Sequence, residues 1–171
     1  MIAFRWMLVA LICATGTACT PKISRVTMDT SRLENVPAVR LSCAHRLADV
    51  VDARPDRSAV GGLGKHLFHF DDPAGVIRRQ LIASGFSDAS GEAPSVSIRL
   101  VRLYMEGSHV SKIPVVVYET TVDAQPSFLI RSQKTSINWN GTENEAYAAF
   151  AGALQDANRQ LIVRLNAGCR R

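Results

Sequence analysis

An unbroken apolar run extends from Trp6 to Ala14, near the start of this 171-residue chain. Its length and flanking residues determine whether this segment belongs to the folded domain. Arg5 is the only charged residue in the first eighteen positions, and small residues follow the run up to Ala18. A transmembrane helix needs about 20 apolar residues, whereas a secretory signal peptide has a positive start, about 7 to 15 apolar residues and a small-residue cleavage site. We therefore predict a signal peptide over residues 1–18, which is not part of the folded domain.

The predicted cleavage site lies within the sequence Gly-Thr-Ala-Cys, which ends at Cys19. This sequence resembles the lipobox of bacterial lipoproteins, in which a small residue precedes a cysteine that is diacylated and becomes the mature N-terminus. The resemblance implies that Cys19 is lipidated. A competing site at Cys13 has the large Ile12 where a small residue is expected. The alternative is a plain signal peptide, with Cys19 as a core or disulfide cysteine.

The lipobox resemblance also implies a membrane location. Each buried lipid methylene contributes about 0.8 kcal/mol, so several acyl chains hold a protein firmly to a bilayer. Thr20 follows Cys19, whereas an Asp at this position resembles the signal that retains such lipoproteins in the inner membrane. We therefore expect a bacterial outer-membrane anchor with the protein facing the periplasm. Residues 19–37 are predicted to be a lipidated N-terminus and a polar linker that need not fold, and residues 38–171 a single domain.

Two of the four cysteines, Cys43 and Cys169, remain in the predicted domain once Cys13 leaves with the signal peptide and Cys19 carries the lipid. Disulfides persist in oxidising compartments, so export favours pairing of the two. The bond would close a loop of about 126 residues, for which the chain-entropy model gives roughly 5 kcal/mol as an upper figure. The alternative is a pair of buried free thiols.

Two helices have clear boundary signals. Asp72 and Pro73 supply an N-cap and a first-turn proline for a helix over 74–84. Thr142 and Glu145 form the pattern of a capping box at the start of a second, longer helix. Apolar residues then recur three and four positions apart, at Tyr147, Phe150, Leu154, Ala157, Leu161 and Leu165. One face of this helix must pack on another layer, which we predict to be a sheet.

Six segments with alternating or β-branched residues are predicted strands: Val39–Ala44, Leu47–Val51, Leu67–Phe70, Val96–Met105, Ile113–Ala124 and Phe128–Trp139. The apolar phase changes after Leu100, which indicates a β-bulge or a strand that passes from one face to another. Short connections join the last three strands into an antiparallel meander. We therefore predict an α+β domain, in which an antiparallel sheet of about five or six strands carries two helices on one face. The last strand holds two charged residues, Arg131 and Lys134, which is typical of an exposed edge strand.

A second resemblance rests on Asp52 and Arg54, which form an Asp-x-Arg motif after a predicted strand, with Gly61 a few residues later. This stretch is similar to the corresponding region of YajG-type lipoproteins, as are the capped helix followed by Gly85 and Phe86 and the long Ala-rich final helix. The resemblance covers most of the mature chain. It implies an exported lipoprotein with an α+β domain and no established reaction.

Charge and motifs argue against several other classes of function. The 20 basic and 15 acidic residues give a formal net charge of +5, and the basic residues are scattered, which disfavours nucleic-acid binding. No serine lies in a Gly-x-Ser-x-Gly motif, and we predict neither catalytic residues nor a cofactor. His66 and His69, with Asp71 nearby, are the best metal-ligand candidates. Residues three apart on a strand point to opposite faces, so we predict no metal site there.

These features predict a non-catalytic interaction or accessory module that presents its domain to a periplasmic or outer-membrane protein partner. The candidate docking residues are a predicted ion pair, Asp52 and Arg54, and three residues of the last strand, Arg131, Lys134 and Trp139. One alternative is a small-molecule or glycan binder with its site in the groove between helix and sheet. Another is a metal-dependent hydrolase that uses the two histidines and Asp71. The oligomeric state stays open.

Overall fold

The computed structural model of the chain describes residues 23–33, 39–63, 66–89, 91–107, 111–132, 137–138 and 142–169. The predicted signal peptide and Cys19 lie outside these ranges, as do Lys134 and Trp139.

The described residues form eight strands, two α-helices and a short 3₁₀ helix. The strands are β1 Ser24–Thr27, β2 Arg46–Asp52, β3 Gly62–Leu63, β4 His66–His69, β5 Ser95–Gly107, β6 Ser111–Val122, β7 Phe128–Arg131 and β8 Ile137–Asn138. The helices are α1 Pro73–Ala83 and α2 Glu143–Gly168, and the 3₁₀ helix is Thr30–Leu33. This composition confirms the predicted α+β class.

The strands belong to two sheets, so the prediction of one antiparallel sheet is wrong. The larger sheet has the order β2-β5-β6-β7, with β8 also paired to β6, and β5, β6 and β7 form the predicted antiparallel meander. β2 runs parallel to β5. Parallel strands need a crossover connection, which here passes through β3, β4 and α1. The smaller sheet has the order β1-β4-β3, in which β1 and β4 are parallel.

The predicted β-bulge is present in β5. The register between β5 and β6 shifts between Leu100 and Arg102. Ile98 and Leu100 are buried before the shift, and Leu103 is buried after it. Because side chains alternate along a strand, the extra residue keeps apolar side chains on the core face in both halves of β5.

The segment expected to be a linker is folded in part, which corrects the predicted boundary at residue 37. β1 pairs with β4, and the 3₁₀ helix follows it. Met28 and Leu33 are fully buried in the core. These two apolar residues are isolated in sequence and form no periodic pattern, so only the packing of the whole chain reveals that they belong to the core.

The predicted strand Val39–Ala44 is not a strand, because its backbone groups bond to helix ends instead. The amide of Leu41 donates to the carbonyl of Ser84 at the end of α1. The side chain of Asn166 accepts from the amide of Ser42 at 2.8 Å and donates to the carbonyl of Arg40 at 3.0 Å. Irregular backbone thus joins the ends of the two helices.

Both predicted helices form, with the predicted caps. The carboxylate of Asp72 accepts from the amide of Gly75 at 2.8 Å. The side chains of Thr142 and Glu145 accept from each other's backbone amides at 3.3 and 3.1 Å, which completes the capping box. α1 contacts β2, α2 contacts β6 and β7, and the two helices contact each other. Their apolar residues and the buried side chains of both sheets form one core.

Candidate functional site

A cavity of about 530 Å³ lies between the C-terminal end of α2 and one end of the larger sheet. We call it the α2 groove. The residues that define it are Cys43, His45, Val122, Phe128, Arg164 and Cys169. Grooves of this size, with mainly apolar walls and a few polar groups, are typical of ligand sites. The groove lies between helix and sheet, where the alternative of a small-molecule or glycan binder would have its site.

The disulfide Cys43–Cys169 forms part of the groove wall. The Cα atoms of the two residues are 6.0 Å apart, and the bond ties the irregular segment before β2 to the end of α2. This agrees with the pairing predicted from the cysteine count. The bond therefore fixes the distance between the two sides of the groove at this end.

His45 is buried beside the disulfide. Its Nδ1 lies 3.6 Å from the sulfur of Cys43 and 3.3 Å from the carbonyl of the same residue. His45 and the two cysteines are also the group of potential metal ligands within the described ranges, with ligand atoms within 4.8 Å of one another. A cysteine binds zinc as a thiolate, and the disulfide leaves none, so the oxidised cluster keeps only His45 as a ligand and cannot hold the metal. From sequence, His45 is a single histidine with no identifiable partner, although its Cys-x-His spacing could have drawn attention to it.

The other side of the groove combines a positive charge with an aromatic ring. The guanidinium of Arg164 lies 3.8 Å from the ring centroid of Phe128, in cation–π geometry. Asp123 lies nearby with φ +48°, and its carboxylate accepts from the amide of Ser95 at 2.7 Å. The groove can thus bury an apolar group and attract an anionic one with Arg164.

The predicted ion pair between Asp52 and Arg54 is present. Nε of Arg54 donates to Oδ1 of Asp52 at 2.9 Å, and Nη2 donates to Oδ2 at 2.7 Å. The side chain of Arg57 also donates to the carbonyl of Asp52. Burial by itself raises the pKa of Asp52, but the hydrogen bonds and charge of Arg54, together with Arg57, outweigh it and hold the pKa below its usual value.

Arg54 keeps one donor unused. Its side chain is only 3% exposed, and its buried Nη1 has no hydrogen-bond partner among the described residues. A cavity of about 330 Å³ adjoins it, with Arg102 and Tyr104 in the wall. The pair between Asp52 and Arg54 therefore has mainly a structural role, because it holds the chain in place just after β2. Nη1 of Arg54 stays available to donate to another group.

The residues predicted to dock a partner do not form one surface. β7 ends at Arg131, and β8 pairs with the start of β6, so the long strand predicted over 128–139 is wrong. Arg131 lies 3.6 Å from Glu106 in an ion pair, and its carbonyl accepts from Gln160. β2 and β7 are opposite edges of the larger sheet, so Asp52 and Arg54 lie at one edge and Arg131 at the other. Leu129, two positions before Arg131 on β7, is a large apolar residue that is 64% exposed.

The histidines considered as metal ligands lie on β4, where the predicted alternation separates them. His66 is exposed. The ring of His69 already has two neighbours: its Nδ1 is 3.0 Å from the carbonyl of Ser58, and its Nε2 is 3.2 Å from Asp71. These contacts make His69, at the end of the central strand β4, part of the local bonding of the smaller sheet.

No helix in the described ranges is long and apolar enough to cross a bilayer.

Comparison with known proteins identifies structural similarity only. No family model and no curated protein matches the sequence. The crystal structure of a Xanthomonas campestris protein, described under the family DUF330, is similar with a TM-score of 0.56 at 10% identity; the match covers 86% of this chain and 97% of that one. A second solved structure, of an uncharacterized protein, aligns with a TM-score of 0.45 at 11% identity over 75% of this chain and 95% of that one. The first likeness shows a shared fold with a DUF330 protein.

Proposed function

We propose that this protein is an envelope lipoprotein of bacteria, anchored through Cys19 to the outer membrane, whose domain binds a protein partner without catalysing a reaction. The observation that carries the proposal is the Cys43–Cys169 disulfide, because such bonds persist in oxidising compartments such as the periplasm. The lipobox-like sequence before Cys19 and the resemblance to YajG-type lipoproteins support the same location. The fold shared with a DUF330 protein is compatible with that resemblance.

The test of the anchor is metabolic labelling with a fatty-acid analogue, followed by separation of inner and outer membranes. We expect label on the wild type and on Cys13→Ala, no label on Cys19→Ala, and recovery of the labelled protein in the outer membrane. Label lost only in Cys13→Ala would move the mature N-terminus and contradict the proposal. Recovery in the inner membrane would contradict the outer-membrane assignment alone.

The edge strand β7 is the surface that we assign to the partner. Leu129 and Arg131 are exposed on it, and an edge strand offers unpaired backbone groups to a further strand. Crosslinking in the envelope should capture a partner that is lost in a Leu129→Asp, Arg131→Glu double variant. Val163→Asp, which changes an exposed residue on α2, is the matched control and should retain the partner. A partner that survives the double variant, and also the predicted docking variants Lys134→Glu and Trp139→Ala, would remove this surface from the proposal.

A second candidate function is binding of a small molecule in the α2 groove, and the size and mixed lining of this cavity favour it. Anilinonaphthalene sulfonate is a suitable probe, since it combines an apolar ring system with an anion. We expect its fluorescence to rise on binding and Arg164→Gln to weaken binding. Arg99→Gln, which alters an exposed arginine paired with Glu119, should leave binding unchanged. Equal effects of the two variants would exclude the groove as the site.

Metal analysis of the purified protein separates these proposals from a hydrolase. The non-catalytic proposal predicts no stoichiometric ion. An ion present at one per chain in the wild type and lost in His66→Ala would favour the metal-dependent hydrolase instead.

A further inference from the structure

The first described strand begins very close to the proposed lipid. Ser24 is the first residue of β1, and it is paired in register with His66 of β4. Five residue steps separate Ser24 from Cys19. An extended chain covers at most about 17 Å over that length. The chain between Cys19 and Ser24, which we call the tether, is therefore far shorter than the predicted linker, which extended to residue 37.

We infer that the end of the smaller sheet that carries Ser24 and His66 lies against the bilayer surface; this rests on the proposed lipidation of Cys19. The acyl chains start at the boundary of the hydrocarbon core, and the headgroup layer adds roughly 5 to 7 Å on each side. A tether of about 17 Å thus leaves room for only a few layers of water between the headgroups and Ser24. β1 cannot move away on its own, because it is hydrogen-bonded into the sheet.

The chemistry of this end fits an anionic lipid surface. Ile23 is an apolar side chain that is 67% exposed, and Arg25 and His66 are exposed beside it. The sequence from Cys19 to Met28 contains two basic residues and no acidic one, and residues 57–70, which include β3 and β4, contain no Asp or Glu. Basic residues close to a bilayer are attracted to anionic headgroups, and an exposed isoleucine can enter the interface.

The α2 groove is far along α2 from the segment that follows β1. The segment after β1 meets α2 near its start: the amide of Asp29 donates to the hydroxyl of Tyr147 at 2.6 Å, and Arg32 donates to Asn144 at 2.6 Å. Arg164 at the groove is 17 residues further along the helix than Tyr147, or about 26 Å. The segment that follows β1 and the α2 groove therefore lie at opposite ends of α2.

Site-specific photo-crosslinking in native membranes tests this orientation. A benzophenone amino acid is placed at Ile23 or at His66, and at two controls, Leu129 and Val163. Leu129 matches Ile23 in exposure, at 64% against 67%. We expect the mass of one phospholipid to be added at Ile23 and His66 and no such adduct at the controls. Adducts at the controls but not at Ile23 and His66 would overturn the inference.

A second measurement tests the charge of the surface. The lipidated protein is placed in vesicles of phosphatidylethanolamine with a minor share of phosphatidylglycerol. Adducts at Ile23 should be enriched in phosphatidylglycerol, and Arg25→Glu should lower that enrichment by about fivefold, whereas Arg99→Glu should not. Adducts that follow the bulk lipid composition in the wild type would contradict the charge argument.

Fatty-acid labelling of the same samples distinguishes a failure of the proposed lipid anchor from a failure of the inferred orientation. Absence of label on Cys19 ends the anchoring proposal and the orientation with it. Label on Cys19 combined with adducts only at the control positions ends the orientation and leaves the anchor in place.

Discussion

The side-chain amide of Asn158 on α2 donates a 2.6 Å hydrogen bond to the side chain of Gln80 on α1, and both residues are buried. Asn158 also accepts from the hydroxyl of Tyr118 on β6 at 3.1 Å, and Gln80 donates to the carbonyl of Leu33 at 2.5 Å. One polar chain thus joins the larger sheet, both helices and the 3₁₀ helix. Buried polar groups of this kind hold elements in a specific arrangement only while every member has its partner.

We expect Asn158→Ala to lower the free energy of unfolding by about 2 to 4 kcal/mol, because it leaves polar atoms of Gln80 and Tyr118 buried without partners. Urea denaturation measures the change. The double variant with Gln80→Ala should cost less than the sum of the single variants, since the two residues share a bond. Additive losses would contradict the network.

Tyr118 should make stability fall at high pH. Burial raises the pKa of its hydroxyl well above the usual value, so the folded state keeps a proton that the unfolded state releases above about pH 10. The unfolded state then binds fewer protons, and stability is lost as the pH rises beyond that point. Between pH 8 and pH 11 the free energy of unfolding, measured by urea denaturation, should therefore fall more steeply with pH for the wild type than for Tyr118→Phe. Parallel curves would show that another group is responsible.

Asp52→Asn should cost about 3 to 5 kcal/mol at neutral pH, because it leaves the buried charge of Arg54 without its carboxylate. The matched control is Glu119→Gln, which breaks an exposed pair with Arg99 and should cost less than about 1 kcal/mol. The low pKa of Asp52 predicts that its contribution is present above about pH 4 and is lost as the pH falls through the folded-state pKa. Urea denaturation measures the free energy of unfolding of the wild type and of Asp52→Asn. We expect the difference between them to be smaller at pH 3 than at pH 7.

The disulfide should be formed in the native protein and should stabilise it. Alkylation followed by mass spectrometry under non-reducing conditions should detect no free thiol at Cys43 or Cys169. Replacing both by alanine should lower the free energy of unfolding by about 2 to 5 kcal/mol. Two alkylatable thiols in the native protein would contradict the bond.

The N-terminal segment should behave as part of the domain. Met28→Ala empties a fully buried site and should cost about 2 to 5 kcal/mol. Ile23→Ala changes an exposed residue and should cost less than about 0.5 kcal/mol. If both variants lowered the stability measured by thermal unfolding by a similarly small amount, the segment would be a linker and not part of the domain.

Features that depend on residues close together in the sequence were predictable. The caps at Asp72 and Thr142 depend on side-chain to backbone bonds within one turn, so both helices could be located from sequence. The bulge after Leu100 follows from the phase of apolar residues along one strand. The ion pair between Asp52, the last residue of β2, and Arg54 joins residues only two positions apart.

Features that depend on distant parts of the chain were not predictable in this way. Nothing local to β2 states that it pairs in parallel with β5, because that choice depends on where the intervening crossover packs. The surroundings of His45 arise only when the end of α2 brings Cys169 beside it.

By itself the sequence determined the α+β class, the two helices and the meander, because capping and apolar periodicity are properties of the chain before it folds. It also predicted the pairing of Cys43 with Cys169, with free thiols as the alternative. The tertiary structure alone decided that Met28 and Leu33 belong to the core, since their burial depends on cavities formed by α1, α2 and β4. It also created the α2 groove, whose walls come from segments far apart in sequence. Burial is a collective property of packed elements, and for that reason the place of Met28 and Leu33 in the core became visible only in the assembled fold.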